Sequence, residues 1–204
     1  MRRYSRQRND LPGTGGELTV HLFERFELEG VTVEQTTERN DHYDPAARVV
    51  RLSPNNFNGK SLTAVAVAAH EVGDAIQFSR NESISQLRRK YLPSATHLRK
   101  AGIVVLTLMP IVGFIVKVPV IIFGMIALGL GFQLPGALSY LIVLSEEWDA
   151  SFGKAMPILA DGDYIADRDL PAVASVLKAA ALTYFAGALA DLINFGRWLL
   201  ILRR

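Results

Sequence analysis

Three residues that can bind a metal ion or move a proton lie within five positions of one another, in the segment His70-Glu71-Val72-Gly73-Asp74. Positions i and i+4 lie on one face of an α-helix, so His70 and Asp74 can reach the same ion. Glu71 lies beside the open coordination position, where it can take a proton from water and later pass it to a leaving amine. Zinc peptidase helices read His-Glu-x-x-His. The spacing predicts a hydrolytic metal site with an aspartate where a histidine is usual.

The segment around this motif, SLTAVAVAAHEVGDAIQF, has the pattern of a buried helix. Ser61 is a good N-cap, and residues 64–69 are only alanine and valine, so no polar face precedes the motif. Burying unpaired carboxylates costs several kcal/mol, which is roughly the stability of a whole domain. A cation between the carboxylates would remove that cost. The alternatives are a site that has lost its metal and a satisfied polar pair.

Composition limits the other ligands and the class of protein. The chain has 204 residues and no cysteine, so disulfides and thiolate ligands are excluded. Any transition metal must be held by histidine, aspartate or glutamate. A net charge of +2 gives no reason to expect a nucleic acid partner. No apolar run opens the chain, and we expect no signal peptide.

Apolar residues are concentrated in residues 101–145 and 172–202, and the mean hydropathy is +0.20. The first stretch contains a single charged residue, Lys117, and its length suits two membrane spans. It predicts a transmembrane hairpin that turns near Lys117. Residues 171–204 predict a C-terminal helix long enough to span, which Asp191 interrupts.

The predicted hairpin returns the chain to the side from which it left. Glu146, Glu147 and Asp149 therefore lie on the same side of the membrane as His70 and are the candidates for the third ligand. Basic residues flank the first span, which predicts that residues 1–100 are cytoplasmic. They are Arg88, Arg89, Lys90, Arg99 and Lys100.

The residues before the motif indicate a small α+β unit. GELTVHLFERFELEG predicts a helix, and VTVEQT and ARVVRLS predict strands. We expect ARVVRLS to be an edge strand along which an extended peptide lies; the alternative is an internal strand. His42 and Asp44, in DHYDP, favour an Asx-type turn over a contact with substrate.

The ordered blocks DHYDPAARVVRLSPNNFNGKSLTAVAVAAHEVGDAIQ, EEWDAS and KAAALTYFAGAL resemble the YugP type of bacterial membrane zinc metallopeptidases, the neutral zinc metallopeptidases. The resemblance extends from about Thr14 to about Leu189. It implies a gluzincin-like site in which the two helix positions and a downstream glutamate bind zinc. Glu147 matches that glutamate, with Glu146 as the alternative, so the implied metal ligands are His70, Asp74 and Glu147, with Glu71 catalytic.

The chain departs from the family at Asp74. We also expect no apolar segment before the basic stretch, where many members have one. The expected fold is α+β and mostly helical, with a zincin-like domain in residues 1–100, the hairpin, a third-ligand helix with an acidic loop in 146–170, and the C-terminal membrane helix. The expected function is zinc-dependent hydrolysis of a peptide or protein at the bacterial inner membrane, in contact with lipid. Because aspartate makes the ion less acidic, the alternative is an inactive homologue that acts as a membrane scaffold or regulator.

Overall fold

The computed structural model describes residues 2–183, which fold as two compact units. One unit combines residues 2–82 with 144–183, and the other is residues 83–143. Most of the described residues are helical and the only sheet among them has three strands. The expected mostly helical α+β class is therefore confirmed.

The first unit begins with helix α1, Gly15–Arg25, and continues into the sheet. Thr14 and Glu17 form a reciprocal capping box that starts α1, and Leu18 and Leu22 are its buried apolar face. The strands are β1, Thr32–Gln35; β2, His42–Asp44; and β3, Val49–Leu52.

The order of the strands is β1-β3-β2, with β3 parallel to β1 and antiparallel to β2. The expectation that ARVVRLS forms an edge strand is therefore wrong, because β3 is the central strand. Strand β2 was not predicted from the sequence, because it lies within DHYDP, a segment whose residues are typical of a turn. The turn at Asp44 folds β2 back onto β3, and Val50 and Leu52 of β3 become fully buried.

Helix α2, Pro54–Phe57, leads to the long helix α3, Leu62–Ser79. The Ser61 hydroxyl accepts a hydrogen bond from the Ala64 N–H at 3.1 Å, which confirms the predicted N-cap. Residues 62–77 of α3 are all buried, so this helix is the centre of the unit. The motif therefore lies on a helix that has no solvent-facing side.

The rest of the unit follows the hairpin. A π-helical segment, Asp149–Ala155, precedes helices α6, Met156–Asp161, and α7, Leu170–Ala181. Val173, Val176 and Leu177 of α7 belong to the core of this unit. The first part of the predicted C-terminal membrane helix is thus a core helix, and its remainder, with Asp191, lies outside the described residues.

The second unit is an antiparallel pair of helices, α4, Ser83–Val116, and α5, Pro119–Trp148, whose last residues belong to the first unit. Lys117 has a left-handed φ of 52° in the turn between them, where the sequence predicts it. A Cβ atom on Gly102 would lie 2.8 Å from the carbonyl oxygen of Gly129, so glycine lets the helices approach closely.

Both helices are long and apolar enough to cross a membrane. Phe114, Ile115, Val120 and Phe123 are each at least 70% exposed. α4 begins 18 residues before the apolar stretch that starts at residue 101. Its first half is polar, and its second half is the first apolar arm of the hairpin.

Candidate metal centre

Two elements bring His70, Asp74 and Glu147 together. α3 places His70 and Asp74 one turn apart on one face, and the last turn of α5 supplies Glu147. One ligand atom from each residue lies within 4.8 Å of the other two, and all three side chains are buried. The expected approach of Glu147, rather than Glu146, to His70 is confirmed: Glu147 Oε2 lies 3.2 Å from His70 Nε2.

The other nitrogen of His70 is held by Ser151 in the π-helical segment. Ser151 Oγ lies 3.0 Å from His70 Nδ1, and its hydroxyl donates to the carbonyl oxygen of Leu177 at 3.2 Å. A hydroxyl has one proton, so in this arrangement Ser151 accepts from Nδ1–H. The Nε2 lone pair of a neutral His70 then points at the Glu147 carboxylate. Two acceptors in contact need a cation between them, either a proton or a metal ion.

The pKa values of His70, Glu71 and Asp74 are all raised within this cluster. Burial alone would lower the pKa of His70, but the hydrogen bond with Glu147 and the charges of Asp74 and Glu71 raise it to about 9. Burial raises the pKa of Glu71 to about 7, and the Glu147 charge adds to the rise while His70 opposes it. Burial likewise raises the pKa of Asp74 well above its usual range. The cluster thus has an excess of negative charge that favours binding of a cation.

The donor set fits zinc. Zinc in proteins takes imidazole nitrogen and carboxylate oxygen, with three protein ligands in hydrolytic sites. Asp74 Oδ1 is buried and has no hydrogen-bond partner in the part of the chain that the structure describes. An orphaned buried carboxylate oxygen costs several kcal/mol unless something compensates it. A cation bound to Asp74, His70 and Glu147 supplies that compensation.

Glu71 lies beside these ligands and next to the sheet. The backbone of Tyr43, in β2, lies close enough to Glu71 to oppose the rise in the pKa of its carboxyl group. Strand β2 pairs with β3 on one side and is an edge of the sheet. The edge strand nearest to the candidate catalytic carboxylate is therefore β2.

Asp44 has the structural role that the sequence favours. Asp44 Oδ1 accepts hydrogen bonds from the backbone N–H groups of Ala46 and Ala47, at 3.0 and 3.1 Å, as in an Asx turn. Its other oxygen binds Arg51 at 2.6 Å. His42 Nδ1 lies 2.8 Å from the carbonyl oxygen of Asn40. Both side chains stabilise the hairpin between β2 and β3.

Sequence reasoning missed Gln77, which fixes the third-ligand segment to α3. Its amide donates to the carbonyl oxygen of Glu146 at 3.2 Å and to Asp149 Oδ2 at 2.7 Å. Lys154 then binds both Asp149 and Glu82, at 2.9 and 3.1 Å. A polar glutamine three residues after Asp74 on an apolar helix was the signal that could have identified it, and the structure shows that Gln77 is fully buried.

Comparison with known proteins gives the family of the chain. The family described as "Putative neutral zinc metallopeptidase" matches residues 1–203. The chain is 34% identical to the "Putative membrane protease YugP" of Bacillus subtilis (strain 168) over 209 residues, which cover 98% of this chain and 85% of that protein. No solved structure matches the chain. The chain therefore belongs to the neutral zinc metallopeptidase family.

Proposed function

We propose that the protein is a membrane-bound, zinc-dependent peptidase in which His70, Asp74 and Glu147 hold the metal and Glu71 is the general base. The observation that carries the proposal is the buried triad, whose ligand atoms lie within 4.8 Å of one another and include an Asp74 oxygen with no other partner among the described residues. Membership of a zinc metallopeptidase family supports the reaction class.

Each residue of the centre has a separate task. Zinc, when bound, polarises the scissile carbonyl group and makes the attacking water more acidic. Glu71 takes the proton from that water on its carboxylate and passes it to the nitrogen of the leaving amine. Its raised pKa of about 7 suits both steps near neutral pH. Ser151 keeps the proton of His70 on Nδ1, so that Nε2 is the metal-binding atom.

The substrate is a peptide or protein. The open edge of β2 supports binding of an extended chain, because a strand edge pairs with a peptide backbone without reading its side chains. The effect of the Tyr43 backbone on the pKa of Glu71 supports a position of this edge beside the candidate base. We therefore assign the pairing with an extended substrate to β2, and not to ARVVRLS as the sequence predicted.

The α4–α5 hairpin crosses the bacterial inner membrane, with residues 100 and 146 on the cytoplasmic side. The exposed apolar side chains support this, since apolar surface in water costs about 25 cal/mol for each Å². Basic residues at the open end of the hairpin favour the cytoplasmic orientation.

Asp74 supports a second candidate function, an inactive homologue that acts as a membrane scaffold. An aspartate ligand adds negative charge and makes bound water less acidic than a histidine ligand does. The two candidates differ in metal content and in turnover. We expect one zinc per chain after purification, and cleavage of an unfolded protein such as casein.

Glu71→Gln tests the mechanism directly. It keeps the side-chain volume and all three ligands but removes the base. We expect unchanged zinc content and a loss of cleavage by a factor of about 10² to 10⁴. A folded chain without zinc would favour the scaffold function. Cleavage that is unchanged in Glu71→Gln would also favour it, because such cleavage does not come from the proposed centre.

A further inference from the structure

Four residues of the first unit form a closed set of contacts beside the metal centre, which we call the Gln77 network. The Gln77 amide donates to Asp149 Oδ2 at 2.7 Å, and Lys154 Nζ donates to the same oxygen at 2.9 Å. Lys154 also binds Glu82 at 3.1 Å, and the Glu82 backbone N–H donates to the Gln77 carbonyl oxygen at 3.0 Å. The network therefore joins the C-terminal end of α3 to the π-helical segment that follows Glu147.

The π-helical geometry brings Lys154 to Asp149. The two residues are five positions apart, and in an α-helix such positions point about 140° away from each other. A π-helix bonds residue i to residue i+5, so these positions are about one turn apart and lie on one face. The segment begins with Asp149 and includes Lys154. An α-helix at this place would separate the two side chains and open the network.

The same glutamine also holds the backbone just before Glu147. Its amide donates a second hydrogen bond, at 3.2 Å, to the carbonyl oxygen of Glu146. That carbonyl group belongs to the peptide plane that ends at the Cα atom of Glu147, and peptide planes are rigid. Gln77 thus fixes the chain on both sides of Glu147, through the Glu146 carbonyl before it and the Asp149 carboxylate after it.

Stability alone does not explain a glutamine at this position. Gln77 is fully buried, and its Oε1 atom has no hydrogen-bond partner in the part of the chain that the structure describes. An unpaired buried acceptor destabilises a fold, and an apolar side chain of similar length would avoid that cost. The opposite orientation of the amide would place its oxygen against two other oxygen atoms. Both N–H groups are therefore committed to the chain around Glu147.

The ion pairs of the network are also weak as stabilising contacts. The side chains of Lys154, Glu82 and Asp149 are 18%, 29% and 38% exposed. Ion pairs that water can reach contribute little to stability. Their effect is to hold the Asp149 carboxylate where the Gln77 amide can donate to it.

We propose that Gln77, Asp149 and Lys154 are positioning residues for the third metal ligand, an inference that rests on the proposed zinc function. A glutamate side chain is long and flexible, so its carboxylate is well placed only when the backbone that carries it is fixed. The network fixes that backbone and so sets the approach of Glu147 to His70, which is 3.2 Å in the structure. Residues that orient metal ligands typically change metal affinity by about 10- to 100-fold.

Gln77→Met tests the proposal in the full-length chain in detergent. Methionine has a similar length but neither donor. We expect zinc affinity, measured by competition with a chelator, to fall by about tenfold or more. Thr19→Val is the matched control, because Thr19 is also fully buried and donates to the Gly15 carbonyl at 2.8 Å, within α1. It should lower the thermal midpoint and leave zinc affinity unchanged. The same pattern in Gln77→Met would overturn the proposal.

Lys154→Gln tests the network at its partly exposed side, where loss of the fold is not expected. We expect zinc affinity to fall by about threefold. Arg8→Gln is the control, because Arg8 likewise bridges two carboxylates, Asp10 and Asp169, but binds the backbone before the start of α3. Unchanged zinc affinity in Lys154→Gln, or an equal loss in Arg8→Gln, would exclude a role of the ion pairs in positioning.

Hydrogen exchange in the presence of chelator separates the network from the peptidase function. Exchange of the amides of residues 146–151 should be at least about fivefold faster in Gln77→Met than in the wild type, and exchange in α1 should not change. Unchanged exchange of residues 146–151 refutes the positioning role, whatever the wild type does with zinc. A wild-type chain that binds no zinc and cleaves nothing refutes the peptidase function, and the exchange rates still decide whether Gln77 holds the backbone around Glu147.

Discussion

The backbone of Gly73 lies against the carbonyl group of Ala150. A Cβ atom on Gly73 would be 2.7 Å from the Ala150 oxygen, closer than side chains approach in folded proteins. The glycine in the middle of the metal helix is therefore what lets α3 lie against the π-helical segment that follows Glu147. π-Helical turns are often found at functional sites, and here the turn presents Ser151 to His70.

We expect Gly73→Ala to push the π-helical segment away from α3. The free energy of unfolding should fall by about 1–3 kcal/mol, as for other overpacked sites. Zinc affinity should fall by about tenfold, since Ser151 and Glu147 are displaced with the segment. Gly124→Ala is the matched control, because a Cβ atom there meets no atom within 4 Å. Equal effects of the two substitutions on zinc affinity would contradict the role of the contact.

Asp74→His should raise zinc affinity by about one order of magnitude and should raise any peptidase activity. The longer histidine side chain reaches the ion without any movement of the helix backbone toward the ion. As a neutral ligand, histidine also leaves more positive charge on the metal. Zinc stoichiometry, competition with a chelator and cleavage of casein measure the outcome.

Asp74→Asn separates the effect of charge from the effect of ligation. Both substitutions remove a carboxylate from a buried cluster that contains Glu71 and Glu147, so both should raise the thermal midpoint in the presence of chelator. Only the histidine variant should bind more zinc. If it binds no more zinc than the wild type and cleaves nothing, the scaffold function replaces the peptidase function.

Ser151→Ala should lower zinc affinity by about 10- to 100-fold, because the hydroxyl fixes the protonated nitrogen of His70. It also removes a hydrogen bond to Leu177, which costs about 1 kcal/mol of stability. Ser139→Ala is a suitable control, since Ser139 is also a buried helical serine and donates to the Gly136 carbonyl at 2.7 Å. An Ser151→Ala variant with the stability loss but unchanged zinc affinity would argue against this role.

Without zinc, the free energy of unfolding should fall as the pH rises from about 4.5 to 9. The pKa of Glu71 rises from 4.5 to about 7 on folding, so its contribution is complete below 4.5 and is lost as the pH rises through 7. The pKa of His70 rises from 6.5 to about 9, so its contribution is complete below 6.5 and is lost through 9. The lowered pKa values of Asp10, Glu17 and Asp44 act only at lower pH.

Thermal midpoints in detergent with chelator, between pH 5.5 and 8.5, measure this dependence. Added zinc should stabilise more at high pH, because its ligands must be deprotonated. Glu71→Gln should weaken the dependence below pH 7, where the raised pKa of Asp74 still contributes, and leave the part above it. A zinc-free midpoint that rises steadily with pH would contradict the assigned shifts.

Reporter fusions test the hairpin in the membrane. Fusions at Lys100 and Glu146 should report the same side, and a fusion at Lys117 the opposite side, because α4 and α5 are antiparallel. Opposite results at Lys100 and Glu146 would exclude both the hairpin and a site shared by His70 and Glu147.

Much of the centre is local and could be predicted. The spacing of His70 and Asp74 places them on one helix face whatever surrounds the helix, and Ser61 fixes where that helix begins. The two apolar arms around Lys117 are enough to predict the hairpin. Because a hairpin returns the chain to the side from which it left, the third ligand is expected among the residues that follow it. Resemblance to the family then selected Glu147 over Glu146.

Tertiary structure decided the contacts that local patterns do not specify. Ser151 and His70 are 81 residues apart, and Gln77 and Asp149 are 72 apart, so these hydrogen bonds depend on how the whole unit closes around α3. The position of β3 in the sheet was also decided by tertiary structure. Side-chain alternation gives the two faces of a strand, but its neighbours are set by pairing with β1 and β2. Residue types determined which groups can bind the metal, and long-range packing determined how they are oriented.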